Sequence, residues 1–165
     1  MDLEARAHSE HPEALRLWLR LLTCTQLVEK QVRTQLRDQF DTTLPRFDLM
    51  AQLERNPDGL KMNELSRCMM VTGGNVTGIT DQLVAEALVE RVEVSGDRRA
   101  YRVRLTGRGS RVFQAMARQH ETWIVTAFES LSANELKSFY KLLGKVKQRH
   151  SQPTGSHNLQ KGAIT

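Results

Sequence analysis

Cysteine is scarce: Cys24 and Cys68 are the two in 165 residues, and they stand far apart. That excludes a disulfide framework and a structural zinc site, which needs closely spaced pairs, and it fits a reducing compartment. His8 and His11 form a His-x-x-His pair, but with no further ligands beside them no metal or other cofactor is expected. Long apolar runs are missing too. No stretch approaches the roughly 18 residues of a membrane span, and Met1-Asp2-Leu3-Glu4 has neither a basic nor an apolar signal region. The expectation is a soluble cytoplasmic protein. Catalytic constellations are equally lacking: Gly73-Gly74 is not followed by the Lys-Ser/Thr of a phosphate loop, no histidine accompanies an activated serine, and no carboxylate pair assembles. An enzyme is not expected.

What is present builds a core. Aromatics are thin at 5%, yet 39% hydrophobic against 26% charged residues excludes global disorder. The length suits one domain with appendages. From Pro12 to Phe40, Leu15, Trp18, Leu22, Val28, Val32, Leu36 and Phe40 recur at three- and four-residue steps, with Leu17, Leu21 and Cys24 widening the stripe. A helix of that length reaches about 42 Å at 1.5 Å per residue, more than a small core can cover, so its stripe is expected to meet another chain. Cys24, inside the stripe, is expected to pack inertly. A shorter helix follows from Pro45 to about Arg55, stopped by Asn56-Pro57-Asp58-Gly59, and another from about Met62 to Met69. Val71-Thr72-Gly73-Gly74 connects it to a further helix, with Thr72 as a plausible N-cap. Val76, Ile79, Leu83, Val84 and Leu88 are expected inward there, and Asn75, Thr77, Gly78, Asp81 and Gln82 outward.

The period then changes. Val92 and Val94 alternate with Arg91 and Glu93; after Ser95-Gly96-Asp97-Arg98-Arg99-Ala100, Tyr101, Val103 and Leu105 alternate with Arg102 and Arg104. This predicts a two-stranded hairpin with one apolar face, one cationic face and an arginine-tipped loop. The charge sits here: Arg91, Arg98, Arg99, Arg102, Arg104 and Arg108 face only Glu93 and Asp97 in this stretch, which holds most of the net +5. Thr106-Gly107-Arg108-Gly109 opens another long helix (Val112, Phe113, Met116, His120, Trp123, Ile124, Ala127). Ser132-Ala133-Asn134-Glu135 is a capping box for a last one, with Leu136, Phe139, Tyr140, Leu143 and Val146 expected inward.

The fold class expected is therefore mainly α with a small β-hairpin wing, a winged helix-turn-helix. Its geometry suits DNA: the second helix fits a major groove about 12 Å wide, and an arginine-tipped loop can reach the minor groove, about 6 Å wide. Asn75 can pair with adenine, and the Thr77 methyl can meet a thymine methyl. Arg67, Arg98 and Arg102 are expected on phosphates.

The run from Leu65 to Leu105 resembles the MarR family of bacterial transcription regulators: Asn75-Val76-Thr77 on the second helix, Leu88-Val89-Glu90-Arg91 leading into the wing, Asp97-Arg98-Arg99 at its tip and Arg104-Leu105-Thr106 closing it. The element order extends the resemblance over residues 12 to 149. It implies a homodimer gripping a pseudo-palindromic double-stranded operator, with Arg67, Thr72, Gly73, Asn75, Thr77, Asp97, Arg98, Arg99 and Arg102 on DNA and Asp97 orienting Arg99 toward the minor groove. The implied organisation is a flexible N-terminus (1–11), an N-terminal dimerisation helix (12–44), the winged helix-turn-helix DNA-binding domain (45–108), C-terminal dimerisation helices (109–150) and a disordered tail (151–165). Two departures stand out. Ala87 replaces the usual glycine at a left-handed helix stop, costing roughly 1 kcal/mol, and Gly73, Gly74 and Gly78 weaken the recognition helix.

The resemblance further implies a repressor released by a small aromatic carboxylate, a phenol or an aromatic acyl-CoA, in the manner of regulators of aromatic compound catabolism. Trp18, Leu22, Phe47, Met50, Met69, His120 and Trp123 would line the cleft, with Arg16, Arg20 or Arg46 at an anionic rim. Two other classes stay open: a thiol-based redox regulator acting through Cys24 or Cys68, and a winged-helix module serving protein assembly.

Overall fold

The computed structural model describes residues 12–69, 76–94 and 97–151, with backbone alone at Pro12, Val94, 97–100, His150 and Ser151. The expectations for the N-terminus with His8 and His11, for Thr72, Gly73, Gly74 and Asn75, and for the tail beyond Ser151 lie outside the described residues. The elements run α1 (Pro12–Phe40), α2 (Leu44–Glu54), α3 (Met62–Cys68), α4 (Val76–Ala85), β1 (Val89–Val94), β2 (Asp97–Leu105), α5 (Gly107–Ala127) and α6 (Ala133–Ser151). The fold class is the one expected: mainly helical, with a two-stranded antiparallel hairpin in the order β1-β2. The chain divides into two compact units, residues 1–125 and 126–165.

Local chemistry sets the element ends. α1 stops where Asp41 turns to φ 47°; its amide donates to the Arg37 carbonyl at 3.0 Å and that of Thr42 to Leu36 at 3.3 Å, satisfying carbonyls the helix leaves open. α4 ends likewise. Ala87 takes φ 56° and the Leu88 amide donates to the Leu83 carbonyl at 2.9 Å, so the left-handed stop read from the sequence is present. α3 starts with Glu64 accepting the Lys61 amide at 2.8 Å. α6 starts in the expected box, the Ser132 amide donating to Glu135 Oε2 at 2.8 Å and the Glu135 amide to Ser132 Oγ at 3.4 Å.

The core of the first unit gathers Val32 and Leu36 of α1, Phe47, Leu49, Met50 and Leu53 of α2, Leu65 of α3, Leu83 of α4, Val89 and Val103 of the hairpin, and Phe113, Met116 and Trp123 of α5. Each such side chain contributes about 1.5–3 kcal/mol by leaving water; on α4 Leu83 is fully buried, with Val76, Ile79 and Val84 packed against the core. Thr80, also buried, returns its hydroxyl to the Val76 carbonyl at 2.7 Å.

Three expectations are corrected. Of the α6 residues expected inward, Tyr140 is 83% exposed and Val146 55%, with Leu136 also exposed, while Phe139 and Leu143 are half-buried, because an amphipathic pattern specifies a face to be covered and not what covers it. Cys24 is exposed rather than packed; the buried part of α1 lies further along, at Val32 and Leu36. The hairpin does not divide into an apolar and a cationic face. Arg91 pairs with Val103, Val92 with Arg102 and Glu93 with Tyr101, so each face mixes types, since the turn and not the alternation sets the register.

Candidate nucleic-acid interface

Two glycines and a threonine set the root of the hairpin. Gly59 at φ 82° lets Leu60 form an antiparallel bridge to Val103, with N–O distances of 2.9 and 2.8 Å; a Cβ on Gly59 would lie 2.8 Å from the Val103 carbonyl oxygen. Thr106 ties the end of α4 to the start of α5: its hydroxyl donates to the Ala87 carbonyl at 2.8 Å and accepts the Gly109 amide at 2.9 Å. Gly109 packs so closely on Leu88 that a Cβ would sit 1.8 Å from its carbonyl oxygen. The sequence showed Thr106 and Gly109 only as a helix start, and the Leu60 bridge not at all, because a single paired residue has no periodicity.

On this base α4 turns one side outward. Thr77, Asp81 and Gln82 are exposed while Leu83 and Thr80 are buried, as the pattern predicts. Gly78 is half-buried. Arg67 is exposed on the neighbouring α3. Asp97, Arg98 and Arg99 belong to β2, and their side chains lie outside the described residues. Arg102 is engaged: its guanidinium donates to the Gly59 carbonyl at 2.7 Å. Arg104 Nε donates to Glu90 at 2.7 Å. Arg91 pairs with Asp81 of α4 and lies 5.3 Å from the centroid of the Tyr101 ring, and the Asp81 carboxylate, as its hydrogen-bond partner, raises the pKa of Arg91 further.

The expected effector residues separate into three groups. Phe47, His120 and Trp123 come together, with Phe47 and His120 ring centroids 4.9 Å apart and His120 edge-on to Trp123 at 6.4 Å; Phe113 and Phe40 extend the cluster. Burial lowers the pKa of His120. Met50 and Met69 are closed into the core, as are Phe47 and Trp123. Arg16, Trp18 and Arg20 are exposed on the first turns of α1 and Leu22 is half-buried. Arg46 is occupied: its guanidinium forks onto Glu86, one bond being 2.8 Å, and this hydrogen bond holds the Glu86 carboxyl below its ordinary range. Arg46 Nε is buried without a hydrogen-bond partner among the described residues. Sequence reading missed Glu86, Asp81 and Tyr101 as partners, since pairs between elements leave no local spacing signal. Among the described residues no cluster of His, Cys, Asp and Glu could hold a metal, and no helix is long and apolar enough to cross a membrane.

The model of the MarR family matches residues 40–100, from the end of α1 into β2. The chain is 30% identical over 117 residues to the uncharacterized HTH-type transcriptional regulator YsmB of Bacillus subtilis, covering 71% of this chain and 80% of that protein. A MarR family transcriptional regulator from Silicibacter pomeroyi superposes with a TM-score of 0.74 at 30% identity, covering 87% of this chain and 99% of that one. A mutant MarR from E. coli complexed with operator DNA superposes with a TM-score of 0.68 at 23% identity, covering 84% and 99%, a likeness of fold.

Proposed function

This chain belongs to the MarR family of transcriptional regulators, and on that premise we propose that it binds a pseudo-palindromic DNA operator as a homodimer and acts as a repressor. The observation that carries this reading is the outward side of α4, with Thr77, Asp81 and Gln82 exposed over buried Leu83, beside a hairpin whose sequence concentrates the chain's positive charge. Thr77, with Asn75 preceding it in sequence, is suited to base edges, and Arg67, Arg98 and Arg99 to phosphates and the minor groove; Thr72 and Gly73 would approach the backbone. Arg102 joins them less directly, because its guanidinium already serves the Gly59 carbonyl. Dimerisation is supported by the apolar residues left open on α1 and α6.

The proposed effector is a small anionic aromatic molecule, a carboxylate or its CoA thioester. Phe47 and Trp123 are buried in the core, so an aromatic contact would be made at half-buried His120 beside them, and Arg16 and Arg20 offer positive charge on α1. Arg46 would serve only by exchanging Glu86 for the ligand. The coupling required is modest: about 1–3 kcal/mol lowers operator occupancy roughly 5- to 150-fold. A gel shift on the promoter beside the protein's own gene, with aromatic acids, their CoA esters and peroxide, tests the reading. Release by an aromatic acid or thioester supports it. The exposure of Cys24 and Cys68 favours one second reading, a redox regulator, for which peroxide would release wild type but not Cys24→Ser or Cys68→Ser.

A further inference from the structure

Asp81 poses a problem for the face it occupies. It is an exposed carboxylate on the outward side of α4, next to residues proposed to meet a polyanion. Left alone, its charge would repel phosphates. Arg91 answers it from β1, and the same guanidinium lies over the ring of Tyr101 on β2. The cross-strand register explains how one side chain reaches both: Arg91 pairs with Val103 and Tyr101 is the partner of Glu93, so Arg91 and Tyr101 are diagonal neighbours on one hairpin face. A second charged pair among the described residues of the hairpin, Glu90 with Arg104, falls at the alternate positions and does not compete.

The root of the hairpin is fixed by Thr106 and by the Leu60–Val103 bridge. Arg91 stands at the level of that bridge, as the cross-strand partner of Val103, and Tyr101 lies two residues further out. The Asp81–Arg91–Tyr101 contact joins the middle of the helix to the strands that lead toward the tip. We infer that Arg91 is a positioning residue: it locks the hairpin to α4 and thereby sets the distance between the helix in the major groove and the wing tip in the minor groove, rather than contacting phosphate itself. This rests on the DNA-binding reading above.

Two roles for Arg91 make opposite forecasts for its partner. If Arg91 were a phosphate contact, Asp81→Asn would remove a repulsive charge and tighten binding to any duplex. As a positioning pair, Asp81→Asn, Arg91→Gln and Tyr101→Leu should each weaken operator binding about three- to tenfold, the range expected for an exposed ion pair with a cation–π contact. The Asp81→Asn/Arg91→Gln double variant should lose no more than either single one. The slope of log affinity against log salt should stay as in wild type, whereas a lost phosphate contact lowers it by about 0.9.

The experiment is an anisotropy titration of these variants on operator duplex across salt, joined to amide hydrogen exchange of the free protein. Faster exchange across residues 91–103 in each single variant, at unchanged melting temperature, is the DNA-independent expectation. Tighter or unchanged operator binding by Asp81→Asn, a reduced salt slope for Arg91→Gln, or exchange identical to wild type overturns the inference. Should wild type bind no duplex, the functional reading fails, and the exchange result still decides whether the hairpin is locked.

Discussion

Ala87 and Gly109 show how differently single residues declare themselves. The left-handed stop at Ala87 was legible only through the family resemblance, in which a glycine is usual there, and its φ of 56° places a Cβ where it strains the backbone. Ala87→Gly should therefore raise stability by about 1 kcal/mol, read as a higher denaturation midpoint at unchanged slope. Gly109 gave no such sign. Its necessity comes from a distant backbone, the Leu88 carbonyl, which a Cβ would meet at 1.8 Å; Gly109→Ala should cost about 2–3 kcal/mol or more, as overpacking of backbone does. His120 adds a pH effect. Burial lowers its pKa in the folded chain, so the unfolded state takes up a proton first as pH falls. Its contribution is then fully present above the ordinary histidine pKa of about 6.5 and lost progressively below it. Denaturation midpoints measured from neutral to mildly acidic pH should fall, and His120→Phe should flatten that decline.

At the scale of elements, what was periodic was readable and what was relational was not. The long apolar stripe gave α1 its full extent, and the Ser132–Glu135 box gave the start of α6, because both signals lie within one element. The hairpin's existence was read from its alternation. Its register was not, and the division into apolar and cationic faces failed, because cross-strand pairing depends on the turn. The core side of α4 was legible through Val76, Ile79 and Leu83; Asp81–Arg91 and Arg46–Glu86 were not, since each joins elements whose approach is set by packing. Thr106 belongs to this scale, tying α4, β2 and α5 together. Thr106→Val keeps the shape but removes the cap on the Gly109 amide and the bond to Ala87, and should cost about 1–2 kcal/mol, with circular-dichroism melting as the check.

For the whole molecule, the apolar residues left in water set the expectation. Leu17, Trp18 and Leu27 on α1 and, in the second unit, Tyr140, Leu142 and Val146 on α6 are exposed, and exposed apolar residues gathered on one helix mark an association face. A homodimer should persist in sedimentation at nanomolar concentration, and Trp18→Glu with Tyr140→Glu should shift it to monomer. On the proposed reading, operator recognition would require this assembly, because two winged domains can read successive major grooves only when held about 34 Å apart. The most direct measurement is an anisotropy titration of the dimer against its own promoter duplex and a scrambled duplex of equal length at physiological salt. The expected result is promoter binding at least about a thousandfold tighter than scrambled; equal affinity for the two duplexes, or none for either, would contradict sequence-specific regulation.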